Sequence, residues 1–305
     1  SGNLDVNDGT IKLDGNYPTG TQNVALGDTA LDSVQAGGNK NTAIGHAALT
    51  TVTTGDDNTA IGFGALEVNT GSSNTAVGKS SLQSNTTAAS NTAVGVCSLN
   101  ANTTGADNVG IGIVALAANT EGSCNVAIGA GALDANTTGV KNTAVGTNAL
   151  GANTTAANNT AVGTSAMFAT TTGTCNSAFG RDALCTNTTG NRNTAIGRDA
   201  LNDNTTASDN TAVGFESLCK NTTGASNTAV GKGALKATLT TSENTGVGTN
   251  SLNGNTGGCN TGVGSSALEN TTGSNNTAVG RRALYLNTTG TVSYTHLRAH
   301  ETTSD

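Results

Sequence analysis

Large side chains and charges are scarce in this chain of 305 residues. Aromatic residues make up 2% and charged residues 11%, tryptophan is absent, and there is one proline and one methionine. With so few large side chains, the chain cannot fill the broad core that an ordinary domain of this length has. Such a composition is also typical of disorder. Disorder is disfavoured here because the same small residues return at fixed spacing throughout the chain.

Neither a basic cluster nor a long apolar run is present. The net charge of −7 comes from scattered residues, so nothing could follow a phosphate backbone, and we expect no nucleic-acid partner. No apolar run approaches the roughly 18 residues that a membrane helix needs, and residues 1–22 lack the pattern of a signal peptide. We therefore expect a soluble protein that does not insert into a membrane.

The six cysteines do not form a disulfide framework. Cys185 and Cys219 occupy the same repeat position two coils apart, which is about 9–10 Å for stacked strands. That separation exceeds the limit of about 7 Å between the α-carbons of a disulfide. No CxxC or Cys/His pairing indicates zinc. We interpret the cysteines as small, variable surface residues, at Cys97, Cys124, Cys175, Cys185, Cys219 and Cys259.

No catalytic or metal-binding arrangement is visible. His46 is the only histidine within the repeats, at a variable position, so a Ser-His-acid arrangement has no base. Asp182, Asp199 and Glu216 also stand at variable positions and are interpreted as solvated surface. Glycine pairs such as those in Gly110–Gly112 follow from the repeat, and no helix follows them to bind phosphate. We expect no enzyme activity, cofactor or metal.

The chain contains sixteen copies of one sequence motif, which reads Asn142-Thr143-Ala144-Val145-Gly146 in its clearest form. The interval between copies is nearly always 17 residues, with one of 18 and three of 16. A fixed period of this length predicts a solenoid, in which each repeat forms one coil that buries its apolar face against its neighbours. The copies begin at Asn23, Asn41, Asn58, Asn74, Asn91, Asn108, Asn125, Asn142, Asn159, Asn176, Asn193, Asn210, Asn227, Asn244, Asn260 and Asn276.

The repeat reads Asn-Thr-Ala-Val/Ile-Gly-x-x-Ala-Leu-x-x-Asn-Thr-Thr-Gly-x-x. Glycine is always fifth, the eighth residue is Ala or Ser, and the ninth is Leu except for Met167. Seventeen residues are too few for a strand plus a long helix, and the β-branched segment favours a strand. We predict an all-β fold, a β-solenoid of sixteen coils over residues 23–292, each coil with two short strands and tight turns.

Each conserved position has a predicted physical role. The amides of Asn142 and Asn153, first and twelfth in their repeat, are expected to form ladders along the axis and to bond turn backbone. Gly146 allows close approach of backbones where no side chain fits, and Ala144 is small for the same reason. Leu150 is expected in the interior. The sixth, seventh, tenth, eleventh, sixteenth and seventeenth positions vary, and should face water or a partner.

Strand alternation predicts an apolar stripe. If Ala144 and Gly146 point one way, Thr143 and Val145 point the other. The interior would then be thin, and the Val/Ile residues would form an exposed stripe much larger than monomers usually show. Either the stripe points inwards with the leucines, or other chains cover it. We favour burial between chains, with a homotrimer as the simplest closed arrangement for a fibre.

The two ends of the chain differ from the repeats. Residues 1–22, with alternating apolar residues and the only proline, are interpreted as a connector. Residues 293–305 match no repeat position and resemble the translated read-through of a sequencing adapter, as found at the ends of environmental (metagenomic) gene fragments. We interpret them as a non-native or disordered tail. His296 and His300 could form a metal pair on a helix, but a third ligand is missing.

The repeat resembles the head repeats of trimeric autotransporter adhesins and, more closely, longer-period repeats of phage and marine-virus tail-fibre proteins. The residues that carry the resemblance are Asn193–Gly197, Ala200-Leu201 and Asn204-Thr205-Thr206, with equivalents throughout 23–292. It implies a left-handed parallel β-roll, three chains side by side, and an extended fibre or adhesive head. Tail fibres of this type often continue into a self-cleaving chaperone domain; these 305 residues do not match one, so its self-cleavage is not expected of them.

Three functions follow as hypotheses. The first is the shaft or head of a virus tail fibre, located in the virion, which presents a surface to a glycan or protein receptor on the host cell. The second is a bacterial trimeric surface adhesin. The third is ice binding by the threonines at the second position, although Val24, Val109 and Val126 interrupt that column.

Overall fold

The computed structural model describes residues 22–35, 37–285 and 289–290, and the backbone of residues 294–296. The connector predicted over 1–22 lies outside these residues except for its last residue. Most of the tail predicted over 293–305 also lies outside them. The chain divides into two compact units, the first ending at Asn158 and the second beginning at Asn159.

The first unit contains eight strands of three residues each. Consecutive strands pair in parallel and in register, so that each repeat position lies beside the same position of the next coil. The strands are β1 (Val24–Leu26), β2 (Thr42–Ile44), β3 (Thr59–Ile61), β4 (Thr75–Val77), β5 (Thr92–Val94), β6 (Val109–Ile111), β7 (Val126–Ile128) and β8 (Thr143–Val145).

The second unit repeats this architecture. Its strands also pair in parallel with their neighbours, and the last one belongs to the tail rather than to a repeat. They are β9 (Thr160–Val162), β10 (Ser177–Phe179), β11 (Thr194–Ile196), β12 (Thr211–Val213), β13 (Thr228–Val230), β14 (Thr245–Val247), β15 (Thr261–Val263), β16 (Thr277–Val279) and β17 (Tyr294–His296).

The predicted all-β parallel β-solenoid is confirmed, since each described repeat contributes one strand and no described residue is helical. The prediction of two strands per coil was wrong. After the glycine corner, the backbone has positive φ at the seventh and ninth residues, as at Asn148 (55°) and Leu150 (53°). A residue with positive φ breaks the extended geometry of a strand. The second half of each coil is therefore a chain of turns.

The interior of each coil is formed by the third, eighth and ninth residues. Ala144, Ala149 and Leu150 have no exposed surface, and the same positions are buried in the other coils. Val145 lies outside, because it alternates with Ala144 along the strand. The alternative in which the Val/Ile stripe points inwards with the leucines was therefore wrong. The buried leucines and asparagines fill the interior, which would be very thin if only alanine and glycine pointed inwards.

Glycine at the fifth position is required by both space and conformation. Gly129 has φ of 135°, and a methyl group added to it would lie 2.6 Å from the carbonyl oxygen of Gly146 in the next coil. No side chain tolerates that contact, and L-residues rarely adopt that φ. The glycine column therefore sets how closely neighbouring coils approach at this corner.

Candidate functional surface

The outward side chains of the second and fourth residues of each coil form one side of the sheet in each unit, here called the strand face. Thr143 and Val145 represent it in the first unit, where both are half-buried. The most exposed fourth residues are 37–42% exposed, among them Ile111 in the first unit and Phe179 and Ile196 in the second. Exposed apolar patches of this continuity are typical of interaction surfaces.

The threonines of the strand face keep their hydroxyl groups available. Within the part of the chain that the structure describes, the hydroxyls of Thr92 and Thr143 form no hydrogen bond to the protein. The thirteenth-position threonines differ, because Thr103 Oγ1 donates to the carbonyl oxygen of Thr120 at 3.0 Å. The strand face thus presents free hydroxyls beside methyl groups, while the other threonine column is used in the fold.

The sixth residue of each coil, here called the edge column, borders the strand face and differs between the two units. In the first unit it includes Phe63, Val96 and Ile113, which are 52%, 44% and 59% exposed, with Lys79 between the first two. In the second unit it is mainly polar or basic. There the guanidinium carbon of Arg198 lies 4.7 Å, and the ammonium of Lys232 6.0 Å, from the ring centroid of Phe215.

The acidic residues interpreted as solvated surface are partly exposed and form ion pairs. The side chains of Asp182, Asp199 and Glu216 are 29%, 19% and 28% exposed. Pairs of this kind near the surface contribute little to stability. The pairs are Arg181 Nε to Asp182 at 3.0 Å, Arg198 Nε to Asp199 at 2.8 Å and Lys236 Nζ to Glu216 at 2.6 Å.

One exposed ion pair joins the seventeenth residues of two neighbouring coils. Arg192 donates from Nε to Asp209 Oδ1 at 2.7 Å and from a terminal nitrogen to Oδ2 at 2.9 Å. The hydrogen bond from Arg192 lowers the pKa of Asp209, and the same bond raises the pKa of Arg192. Both side chains are exposed, so this pair links neighbouring coils only weakly.

The predicted ladder of first-position asparagines is confirmed. The backbone N–H of Asn142 donates to Oδ1 of Asn125 in the preceding coil at 3.0 Å, and its Nδ2 donates to the carbonyl oxygen of Ala156 in its own coil at 2.8 Å. Both asparagines have no exposed surface. Each amide therefore satisfies a buried backbone donor of the next coil and holds the last corner of its own coil.

The twelfth-position asparagines form a second ladder. Asn153 Nδ2 donates to Oδ1 of Asn136 at 2.7 Å and to the carbonyl oxygen of Ala156 at 3.3 Å, so two asparagines of one coil share that carbonyl. This ladder has interruptions. Thr238 stands in the place of asparagine after Asn221, and the buried Oδ1 of Asn221 has no hydrogen-bond partner.

The Asn-Thr-Thr sequences formally match the acceptor of N-glycosylation, but those that begin at the twelfth position of a described repeat have buried asparagines; Asn270, at an eleventh position, is exposed. Asn102 is completely buried, and its Nδ2 donates to Oδ1 of Asn85 at 2.7 Å and to the carbonyl oxygen of Gly105 at 2.9 Å. A glycan would replace one of these donors and could not fit in the interior. The structural interpretation of these asparagines is therefore favoured over modification.

All six cysteines are free thiols. Cys124, Cys175 and Cys259 are exposed, which agrees with the interpretation as surface residues. Cys219 departs from that interpretation, since it is 7% exposed. Burial raises the pKa of its thiol, and a buried neutral thiol is unreactive.

His46 belongs to the edge column and has a packing role. Its ring stacks on Phe63, with centroids 5.1 Å apart and planes 8° apart, and its Nε2 lies 3.7 Å from a carboxylate oxygen of Asp28. Among the described residues, no group of three or more His, Cys, Asp or Glu could hold a metal ion. The proposed pair of His296 and His300 lies outside the side chains that the structure describes.

The sequence analysis missed one hydrogen bond between neighbouring coils. Ser98 Oγ donates to the carbonyl oxygen of Gly110 in the next coil at 2.8 Å, and a methyl group on Gly110 would lie 2.6 Å from that oxygen. Where alanine follows instead, as for Ser81, the hydroxyl donates to Gly78 of its own coil at 2.9 Å. The sequence signal for this bond was a serine at the eighth position of one coil followed by a glycine at the third position of the next coil. The same arrangements recur at Ser251 with Gly262 and at Ser217 with Gly214.

Comparison with other proteins does not assign the strand face. The described residues contain no helix long and apolar enough to cross a membrane. Neither the models of known protein families nor the sequences of curated proteins match this chain.

Proposed function

We propose that this chain is part of the shaft or head of a virus tail fibre, in which three copies associate as a left-handed trimeric β-roll. The fibre would belong to the virion and present a surface to a glycan or protein receptor on a host cell. The observation that carries the proposal is the strand face, an ordered apolar surface repeated on every coil. The resemblance of the repeat to tail-fibre repeats agrees with it.

Association of copies explains why the strand face is apolar. In each unit the fourth residues are valine, isoleucine, leucine or phenylalanine, and ten of them are 37–42% exposed. Burial of such residues gives about 25 cal/mol per Å², which favours association. A three-fold arrangement closes on itself, so all copies are covered and no open aggregate forms. The other sides of each coil, with the variable residues, stay available for a receptor.

A bacterial surface adhesin of the trimeric autotransporter type is the alternative within the same class. It would use the same strand face for association, and the same variable positions for adhesion. The two differ in the rest of the gene, because an adhesin requires a C-terminal membrane anchor and a tail fibre requires attachment to a virus particle. Sequencing of the complete gene with its neighbours distinguishes them.

Ice binding is a second candidate, favoured by one observation. The free hydroxyls of residues such as Thr92 and Thr143 stand beside the methyl groups of the fourth position. They repeat at about 4.8 Å between coils and stand about 6.6 Å from the fourth residue along the strand. Such a surface orders water only if it is uncovered. Ice binding therefore predicts a monomer with thermal hysteresis.

Sedimentation equilibrium of the purified chain tests the proposal. A particle with three times the 29.7 kDa mass of the chain is expected at micromolar concentration. A monomer at concentrations up to about 100 µM would exclude the fibre, since an interface weaker than that gives less than about 6 kcal/mol. Thermal hysteresis measured on the same sample decides whether the monomer binds ice.

A further inference from the structure

We infer that Phe63, Val96 and Ile113, here called the edge block, form a second contact with another copy of this chain, beside the strand face of the first unit. The inference rests on the proposed association of copies. It adds which part of the chain makes the strongest contact between them. It assigns the main contact to coils of the first unit, and it gives the edge column of the second unit no such role.

Each member of the edge block adjoins a residue of the apolar stripe. Phe63, Val96 and Ile113 follow Ile61, Val94 and Ile111 by two residues, across the glycine corner. The three block residues are 44–59% exposed, and the three stripe residues are 37–38% exposed. Val96 and Ile113 belong to consecutive coils, and Phe63 is separated from Val96 by the coil of Lys79. In these three coils, two exposed apolar residues per coil widen the apolar surface at this edge.

Phe63 is the aromatic anchor of the block. Its ring stacks on His46 at 5.1 Å between centroids, while 52% of its surface remains exposed. An exposed aromatic ring that is held in one orientation loses little conformational entropy on binding. Aromatic anchors of this kind dominate the energy of many protein interfaces.

The dimensions of the strand face explain why a second contact is needed. Three strand residues span about 10 Å and eight coils about 38 Å, so the strand face of one unit covers roughly 400 Å². A stable interface buries about 800 Å² on each partner. In the three coils of the edge block, the two residues up to the edge column add at most roughly 95 Å². The edge block thus supplies about a quarter of the roughly 400 Å² that the strand face of one unit lacks.

Charge favours another copy as the occupant and the first unit as its place, because the edge column has one lysine or arginine in the first unit, Lys79, and four in the second. The edge column of the second unit carries Arg181, Arg198 and Lys232, which are hydrated or engaged with neighbouring side chains. An apolar block placed against those cations would leave them desolvated. In a parallel arrangement of identical copies, each edge block lies at the same level as that of its neighbour, and apolar surface meets apolar surface.

Sedimentation equilibrium of the full chain with a double variant, Phe63→Ser with Ile113→Ser, tests the inference. The matched control is Leu239→Ser, because Leu239 is 55% exposed but belongs to the thirteenth position, away from the strand face. All three replaced residues are exposed, so the coils should still fold, and circular dichroism with thermal melting checks this. We expect the double variant to raise the dissociation constant at least 100-fold, as roughly 3 kcal/mol of lost apolar burial gives. The control should leave it unchanged within about two-fold.

The possible outcomes separate this inference from the proposed function. If the wild-type chain is monomeric, both fail. If the wild type associates and the double variant associates equally well, the edge block is not a contact, while the proposed association stands. Equal weakening by the Leu239→Ser control also overturns the inference, since it would show a general response to lost surface hydrophobicity.

Discussion

The two asparagine ladders are equally buried, but they bond to different groups. The first-position ladder accepts a backbone N–H of the next coil at each step, as Asn125 does from Asn142. The twelfth-position ladder joins side chain to side chain, as Asn136 Nδ2 does to Asn119 Oδ1 at 2.7 Å. In both ladders a second donor bond reaches the carbonyl oxygen of the last corner.

This difference accounts for how each ladder tolerates change. Every described repeat has asparagine at the first position, whereas the twelfth position also carries Val34, Val52, Thr170, Thr238 and Thr271. A side chain that satisfies backbone cannot be replaced without leaving a buried N–H unpaired, which is costly. A twelfth-position asparagine such as Asn119 donates to a neighbouring side chain and to a carbonyl oxygen, so its replacement leaves no backbone N–H unpaired and is tolerated more easily.

The largest expected effect comes from alanine at matched places in the two ladders. Asn125→Ala removes the acceptor of the Asn142 N–H at 3.0 Å and the donor to Gly139 at 2.8 Å, and should lower the free energy of unfolding by about 3–5 kcal/mol. Asn119→Ala leaves no backbone N–H without an acceptor and should lower the free energy of unfolding by about 2–3 kcal/mol. Guanidinium denaturation at one protein concentration measures both. Equal losses would show that the backbone bond adds nothing.

Threonine at the twelfth position should have a smaller effect than alanine. Asn119→Thr keeps a hydroxyl and most of the volume, and threonine occupies the same position at Thr238. We expect a loss of about 1–2 kcal/mol in the free energy of unfolding, because Asn102 Oδ1 loses its donor. Asn125→Thr serves as the matched variant in the other ladder and should remain as harmful as Asn125→Ala. The comparison fails if threonine is tolerated equally well in both ladders.

Restoring the interrupted ladder should stabilise the second unit. Thr238→Asn brings an amide donor to Oδ1 of Asn221, which has no partner, and should raise the free energy of unfolding by about 1 kcal/mol. Thr238→Val is the control, because it has a similar shape but offers no donor. Hydrogen exchange of the amides in the coil that contains Asn221 reports the local change. Stabilisation by valine equal to that by asparagine would point to packing instead of the hydrogen bond.

The smallest effect concerns pH and separates the amide ladders from the exposed ion pair. Asparagine does not titrate, so both ladders should keep their strength at low pH. The lowered pKa of Asp209 means that its pairing with Arg192 stabilises the fold above the ordinary aspartate pKa of about 3.9, and that this contribution is lost as pH falls through the lower, folded value. An NMR titration should show this lowered pKa, and Arg192→Ala should return it to the ordinary range. An unchanged value in that variant would contradict the assignment.

The fold could be predicted because the repeat fixes the register. In-register stacking follows from asparagine, alanine, glycine and leucine returning at constant spacing, and strand alternation places Val145 opposite Ala144. The ladder was predictable for the same reason, since identical amides come to lie one strand spacing apart. These inferences need only the identity of each position and the geometry of a strand.

Backbone conformation and the coupling between coils could not be predicted from the repeat alone. Leucine is found with positive φ in few proteins, so nothing in Leu150 indicates that its coil turns there instead of forming a second strand. The direction of the Ser98 hydroxyl depends on Gly110 in the following coil. The strand face was located correctly, and the sixth position was rightly expected at the surface; the stacking of Phe63 on His46 could not be predicted.

Residues such as Asn148, Leu150 and Asn158, held at φ of 53–59°, have a consequence for how the molecule acquires its structure. The left-handed conformation costs roughly 1–2 kcal/mol for each residue that is not glycine. One coil alone has no neighbour whose hydrogen bonds offset this cost, so it has no stable folded form. Folding must then begin with a nucleus of several coils and proceed by addition at its ends, as a crystal grows along one dimension.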